Sequence, residues 1–141
     1  MVQWQMRPYN SIDDLFEQVE FFVDSVSDYK SDFILFPEYF NAPLMARFND
    51  MGEAQSIRAM AQYTEKIRDR FVELAISYNI NIITGSMPFV KEDGALYNVG
   101  FLCRRDGSYE MYEKIHVTPD EQKCWGLTGG SHVQTFDTDC G

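Results

Sequence analysis

Hydrophobic residues recur at helical spacing in two segments of the chain, residues 11–28 and 54–78. The first segment opens at Ser11, a residue type that commonly caps helices, with Asp14 three residues later as an aspartate variant of the capping box. In both segments the apolar residues fall three or four positions apart, which places them on one face of a helix. The pattern therefore predicts two amphipathic helices.

Shorter apolar or alternating runs predict β-strands at residues 33–36, 80–84, 96–103 and 109–114. The run 33–36 is continuously apolar, which is typical of a strand that is buried on both sides. A further alternation, at Val2, Trp4 and Met6, predicts a strand before the first helix. Strand, helix and strand in this order imply a right-handed parallel crossover.

The order of these elements predicts which residues share an edge of the sheet. The helix between strands 33–36 and 80–84 makes them parallel. Asp-Gly pairs at 93–94 and 106–107 are typical of hairpins, so strand 109–114 runs in the same direction after two reversals. Glu38, which follows the first of these strands, and Lys114, which ends the last, are therefore expected at the edge where open α/β sheets bind ligands.

A carboxylate and an ammonium at one edge can perform acid–base chemistry. We expect Phe36, Tyr39 and Phe40 to enclose Glu38, which then serves as a general base. Lys114 is suited to stabilise a developing oxyanion. Glu121, seven residues after Lys114, is suited to hold the ammonium in place and keep it charged. Either of the first two charges alone is more often a solvated structural residue.

Composition excludes several other classes of function. The net charge of −10 disfavours a nucleic-acid partner, and the doublet Arg104-Arg105 is predicted as solvated charge in a hairpin turn. No apolar stretch approaches the ~20 residues that cross a bilayer, and no signal-peptide pattern is present. Three cysteines without a Cys-x-x-Cys pair favour a reducing, cytoplasmic setting.

A metal site is not expected from the histidines and cysteines. His116, Cys124, His132 and Cys140 recur every eight residues. Structural zinc sites usually contain a short Cys-x₂₋₄-Cys or His-x₃₋₅-His pair, which this chain lacks. We therefore expect neither a metal nor another cofactor.

Several motifs in a fixed order resemble one family. They are Phe36-Pro37-Glu38, Gly85-Ser86, Leu96-Tyr97-Asn98, Tyr112-Glu113-Lys114-Ile115-His116 and Glu121. In this order they resemble the carbon–nitrogen hydrolase (nitrilase) superfamily over essentially the whole chain. The resemblance implies an α/β fold, a nitrilase-like α-β-β-α sandwich that is truncated here, with a mixed sheet and helices on one face. It also implies that Glu38 is the general base, Lys114 the catalytic lysine and Glu121 the second glutamate.

The resemblance implies a cysteine nucleophile that follows a buried strand, and none of Cys103, Cys124 and Cys140 has that setting. Residues 136–141 fit the segment that leads into the nucleophile strand of the family. We therefore expect residues 1–141 to be the N-terminal part of a single carbon–nitrogen hydrolase domain, cut before the nucleophile.

The expected activity of the whole protein is hydrolysis of a small amide or nitrile through a thioester, by a homo-oligomer. The opening residues 2–8 resemble a bacterial branch in which an acetyltransferase domain comes first. Because a nucleophile is missing, a non-catalytic binding or regulatory module on the same fold stays open as the alternative.

Overall fold

Helix α1 (Ile12–Asp28) begins as the sequence predicts, in a computed structural model that describes all residues 1–141. The Ser11 side chain accepts from the backbone of Asp13 and Asp14, and the Asp14 carboxylate accepts from the backbone of Ser11. Both halves of the predicted capping box are therefore present. The helix buries Leu15 and two valines one and two turns later against the sheet.

The six-stranded sheet is mixed, and β4 is its central strand. The strands are β1 (Phe33–Leu35), β2 (Asn81–Ile83), β3 (Met87–Val90), β4 (Leu96–Cys103), β5 (Tyr109–Glu113) and β6 (Leu127–Thr128). The pairing of β1 with β2 is parallel, and β2 and β3 both pair antiparallel with one edge of β4. On the other edge β5 is antiparallel to β4, and β6 is parallel to it. The predicted strand directions are confirmed.

The main core lies between the sheet and the helices on one of its faces. Helix α3 (Thr64–Ser77) packs beside α1, and both contribute buried apolar side chains that meet Ile34, Ile82 and Phe101 of the sheet. The mixed sheet with helices on one face is the predicted fold class.

The opposite face of the sheet is only partly covered. Phe33, Ile83, Leu102 and Tyr112 line a cavity of about 340 Å³ on this side, together with residues 134–136 of the C-terminal segment. Phe33 remains 39% exposed. The prediction that strand 33–36 is buried on both sides is therefore wrong, since only Ile34 and Phe36 face the helix-side core.

The predicted long helix over 54–78 is broken into two. Helix α2 (Glu53–Met60) and α3 are separated by a 3₁₀ turn, Ala61–Tyr63. The two helices pack on different groups, because Ile57 joins a small cluster with Leu96 and Leu127 whereas α3 joins the main core. A continuous apolar pattern does not reveal this change of partner.

Other elements differ from the prediction as well. No strand forms near residue 2, where a single backbone bond links Val2 N to Leu35 O at 2.8 Å. The segment 41–52 contains a 3₁₀ helix at Ala42–Phe48. Strand β3 and helix α4 (Pro119–Trp125) were not predicted. None of the helices has the length and apolar character needed to span a membrane.

Candidate active site

The side chains of Glu38, Lys114 and Glu121 meet at one edge of the sheet, as the strand directions predict. Lys114 Nζ lies 3.0 Å from Glu38 Oε1 and 2.7 Å from Glu121 Oε1. Glu38 follows β1, Lys114 follows β5, and Glu121 lies in the first turn of α4. Three separate elements thus bring one ammonium between two carboxylates.

Glu38 is held by a close approach of two loops. The backbone N–H of Tyr39 donates to Ser86 O at 2.8 Å. A Cβ at Gly85 would overlap the carbonyl oxygen of Pro37, so only glycine permits this approach. Tyr39 itself has a φ of +53°, an unusual backbone conformation for a non-glycine residue. The turn that presents Glu38 is therefore tightly constrained.

The predicted apolar enclosure of Glu38 is wrong. Phe36 and Phe40 turn inward and pack on Phe71 in the core, at ring-centroid distances of 5.1 and 5.5 Å. The Glu38 side chain is 44% exposed. It is oriented instead by polar contacts, because Asn98 Nδ2 donates to Glu38 Oε1 at 2.6 Å.

Lys114 is fixed through both its backbone and its side chain. Its N–H donates to Asn98 O, and its carbonyl accepts from Gly130 N, each at 2.9 Å. Partial burial tends to lower the pKa of Lys114, but the hydrogen bonds to Glu121 and Glu38 outweigh it and raise that pKa above its usual value. The ammonium therefore stays charged near neutral pH.

Glu121 is the buried partner of this pair, with a side chain that is 7% exposed. Burial tends to raise its pKa, but hydrogen bonds from Lys114 and from Thr118 hold that pKa below its usual value. The backbone N–H of Thr118 donates to Glu121 Oε2 at 2.7 Å, which completes the capping box of α4. Glu121 is thus held as a permanent carboxylate.

The sequence did not predict the contacts that Tyr39 makes with Glu121 and Trp125. The Tyr39 hydroxyl lies 3.3 Å from Glu121 Oε1, and burial together with the carboxylates of Glu121 and Glu38 raises the pKa of this hydroxyl. The Tyr39 ring stands edge-on to Trp125, with centroids 5.9 Å apart. Trp125 Nε1 donates to Glu53 Oε1 at 2.6 Å. Because no helix was predicted at α4, the sequence did not reveal that Trp125 packs on Tyr39.

Glu113, the neighbour of Lys114, points to the opposite face of β5 because side chains alternate along a strand. There it pairs with Lys91, which also lies 4.1 Å from the centroid of the Tyr97 ring. Its charge is thus compensated away from the three-residue site.

The cysteines lie elsewhere. Cys103 is buried at the end of β4, and burial raises the pKa of its thiol to about 12. Cys140 Sγ lies 3.4 Å from Asn81 Nδ2, at the start of β2. Because β1 and β2 are parallel, the start of β2 is at the sheet edge opposite Glu38. Cys124 is exposed on α4.

The doublet Arg104-Arg105 is not solvated charge, contrary to the prediction. Arg104 donates to Asp137 O at 2.9 Å and pairs with Glu110. Arg105 pairs with Asp32 and Asp139, at 3.0 and 3.2 Å. Both arginines thus fasten the C-terminal segment to the sheet. No group of three or more His, Cys, Asp or Glu side chains is arranged to hold a metal ion.

Comparisons with known proteins identify the family and the fold. A family model described as carbon-nitrogen hydrolase matches residues 2–141. A curated relative, a probable hydrolase YhcX of Bacillus subtilis (strain 168), is 43% identical over 141 residues. The chain covers 27% of that relative, and thus spans about a quarter of its length.

Solved structures resemble the fold. A carbon-nitrogen hydrolase from Helicobacter pylori superposes with a TM-score of 0.73 at 18% identity, covering 90% of this chain and 43% of that one. Nit3 of Saccharomyces cerevisiae, a member of the nitrilase superfamily, superposes with a TM-score of 0.69 at 18% sequence identity, covering 88% of this chain and 45% of that one. A cysteine-to-serine variant of a Nesterenkonia amidase superposes with a TM-score of 0.69 at 19% sequence identity, covering 92% of this chain and 47% of that one.

Proposed function

The chain belongs to the carbon-nitrogen hydrolase family, and on that premise we propose that it carries the acid–base half of a cysteine-dependent amidase-type site. The observation that carries this proposal is the position of Lys114 Nζ between the carboxylates of Glu38 and Glu121. Glu121 keeps the ammonium charged, and the more exposed Glu38 is accessible for proton exchange with a substrate. A small amide or nitrile is the proposed substrate class.

The attacking thiol comes, in this proposal, from a segment beyond residue 141, with residues 1–141 as the N-terminal part of one domain. The chain crosses the sheet between Gly130, which bonds to Lys114 O, and Asp139, which bonds to Asn81 at the far edge. A strand that continues from Gly141 and runs back along the sheet would end beside Glu38. This geometry supports delivery of a nucleophile to the Lys114 edge.

For an amide, the proposed reaction has two halves. Glu38 takes the thiol proton as sulfur bonds to the carbonyl carbon, and the resulting oxyanion is stabilised by the Lys114 ammonium. Glu38 then returns the proton to the leaving nitrogen as the carbon–nitrogen bond breaks, which leaves a thioester. Next, Glu38 removes a proton from water, which attacks the thioester, and the carbon–sulfur bond breaks to release the acid and regenerate the thiol.

One related protein bears on the nucleophile of the proposed reaction. In a glutamate-to-glutamine variant of the Nesterenkonia amidase, acrylamide has added to the active-site cysteine by Michael addition. That bond forms at the alkene carbon and leaves the amide intact, so it supports a nucleophilic cysteine in the active site of that amidase and not the acyl-transfer step itself. The proposed roles of Glu38, Lys114 and Glu121 require no metal or organic cofactor.

The test compares Lys114→Ala with Lys91→Ala in the full-length protein, with ammonia release from short aliphatic amides as the readout. Both lysines are partly buried and paired with a carboxylate. Loss of an oxyanion stabiliser typically lowers kcat by about 10²–10³-fold, so Lys114→Ala is expected to show that loss and Lys91→Ala to stay within about twofold of wild type. Undiminished turnover by Lys114→Ala would contradict the proposal.

A non-catalytic binding module is the second candidate, because none of the three cysteines is hydrogen-bonded to Glu38 or Lys114. The coding sequence beyond residue 141 separates the two candidates. An apolar strand followed by Cys-Tyr-Asp favours the enzyme, and any other residue in the place of that cysteine favours the module.

A further inference from the structure

Asn98 is a fully buried polar residue of β4 that contacts both proposed catalytic groups. Its Nδ2 donates to Glu38 Oε1 at 2.6 Å, and its backbone carbonyl accepts from Lys114 N at 2.9 Å. One residue of the central strand therefore sets the relative position of the carboxylate and the lysine backbone.

The orientation of the Asn98 amide is determined by chemistry. If the amide were flipped, Oδ1 would face the Glu38 carboxylate and two acceptors would oppose each other. With Nδ2 toward Glu38, Oδ1 is buried without a hydrogen-bond partner. An unpaired buried carbonyl destabilises a fold, so an apolar residue of the same shape would suit stability better. The benefit of Asn98 lies in what its Nδ2 does for Glu38.

The two oxygens of Glu38 are not equivalent. Oε1 accepts from both Asn98 Nδ2 and Lys114 Nζ. No protein group donates a hydrogen bond to Oε2. Because two donors hold the carboxylate through Oε1, its orientation is restricted, and Oε2 is the oxygen that is free to accept a proton.

Building on the proposed function, we propose that Asn98 is a positioning residue that clamps Glu38 through Oε1 so that Oε2 receives the nucleophile's proton. A hydrogen bond to a charged acceptor fixes the direction of that acceptor more firmly than a neutral one does. Lys114 contacts the carboxylate directly, Glu121 lies behind Lys114, and the hydroxyls of Tyr39 and Tyr112 are the other nearby titratable groups.

The test uses the full-length protein with Asn98→Leu and Asn98→Asp, both close in shape to asparagine. Thr64→Val is the matched control, since Thr64 is an equally buried polar residue whose side chain makes one hydrogen bond, from Oγ1 to Pro88 O, and contacts neither Glu38 nor Lys114. Two readouts are followed at neutral pH: kcat and KM for the best short aliphatic amide, and the rate at which iodoacetamide alkylates the nucleophilic cysteine. Peptide mass spectrometry resolves that cysteine from the others, and thermal unfolding is recorded for each variant.

We expect Asn98→Leu to lower kcat by about 10- to 100-fold, as for a lost hydrogen bond to a charged group, with KM within about twofold. The alkylation rate of the nucleophilic cysteine falls in the same proportion, because Glu38 is then no longer oriented toward the thiol. The thermal midpoint of Asn98→Leu stays at or above that of wild type. Asn98→Asp lowers both rates further, since its carboxylate repels that of Glu38. Thr64→Val leaves both rates at the wild-type level.

Wild-type kcat and wild-type alkylation rate in both Asn98 variants, together with an inactive Glu38→Gln, would overturn this inference and leave the proposed function intact. Full activity of Glu38→Gln would instead overturn the proposed function. If Asn98→Leu does not fold, Asn98→Asp carries the same comparison. A loss of kcat that only parallels a loss of thermal stability, with the alkylation rate of the folded protein unchanged, assigns Asn98 a purely structural role and also overturns the inference.

Discussion

Two glutamates contact the same lysine, and their surroundings give them different tasks. Glu121 is 7% exposed and accepts from Thr118 as well as Lys114, so its charge is fixed. Glu38 is 44% exposed and retains an oxygen without a donor. A carboxylate that must exchange protons benefits from access, whereas a counter-ion benefits from burial among donors. This contrast separates the proposed base from the proposed counter-ion.

We predict that Glu121→Gln lowers the free energy of unfolding by about 2 kcal/mol at pH 7, because a partly buried ammonium loses one of its partners. The depressed pKa of Glu121 contributes stability above its unfolded value of about 4.3, and this contribution is lost as pH falls through the folded value. The raised pKa of Lys114 contributes stability below about pH 10.4, the unfolded value, and this contribution is lost as pH rises through the folded value.

The difference in the free energy of unfolding between Glu121→Gln and wild type is therefore expected to be largest between about pH 5 and 10 and to shrink below about pH 4. Urea unfolding at pH 7 and at about pH 3 measures this difference. Glu17→Gln, at an exposed position of α1, is the matched control and is expected to change stability by less than about 0.5 kcal/mol. Equal stability of Glu121→Gln and wild type at pH 7 would contradict the prediction.

At the scale of elements, the turn that presents Glu38 depends on a close backbone approach. We predict that Gly85→Ala destabilises the protein by about 3 kcal/mol or more, because the added Cβ overlaps the backbone carbonyl of Pro37 and forces the loops apart. The same change displaces Glu38 from Lys114, so activity falls more than the residual folded fraction explains.

Gly52→Ala is the control for Gly85→Ala, because a Cβ at Gly52 meets nothing within 4 Å. Gly52 caps α2 with a φ of −66°, so alanine is expected to change the free energy of unfolding by less than about 1 kcal/mol. Thermal unfolding and amide hydrolysis of the two variants provide the comparison. Similar effects at both glycines would refute the importance of the close approach.

The site could be located from sequence because it depends on strand direction, which the order of elements determines. A helix between β1 and β2, then two Asp-Gly turns, were enough to predict that Glu38 and Lys114 share an edge. From the sequence, Asn98 is identified only as the last residue of the motif Leu96-Tyr97-Asn98. What it contacts depends on the register of β4, because a shift of one residue would turn its side chain to the other face.

Other features could not be predicted, for identifiable physical reasons. Strand β3 contains Pro88, which usually argues against a strand, yet it pairs with β4 over four residues. The break at 61–63 is fixed by tertiary contacts, including a 2.5 Å hydrogen bond from Thr64 Oγ1 to Pro88 O. The φ of +53° at Tyr39 depends on the approach to Ser86. Each is a long-range effect that local periodicity does not encode.

For the whole molecule, the two faces of the sheet are covered unequally. Helices α1 and α3 cover most of one face, whereas the C-terminal segment, fastened by Arg104 and Arg105, lies over part of the other. The contiguous row Phe33, Ile83, Leu102 and Tyr112 lines the cavity beneath that segment. An apolar surface of this kind favours association with another surface.

We predict that purified residues 1–141 self-associate through this face. Sedimentation velocity should show species larger than a monomer that increase with concentration, and Phe33→Lys should shift them toward the monomer. Phe21→Lys is the matched control, because Phe21 on α1 is 65% exposed but lies outside the row on the open sheet face. It carries the same change of charge, so solubility effects cancel in the comparison. A monomer at ~100 µM for the unaltered chain would contradict the prediction. An equal response to Phe33→Lys and Phe21→Lys would contradict it as well. If a contiguous apolar face drives association, Phe33 must matter more than Phe21, which is more exposed but isolated.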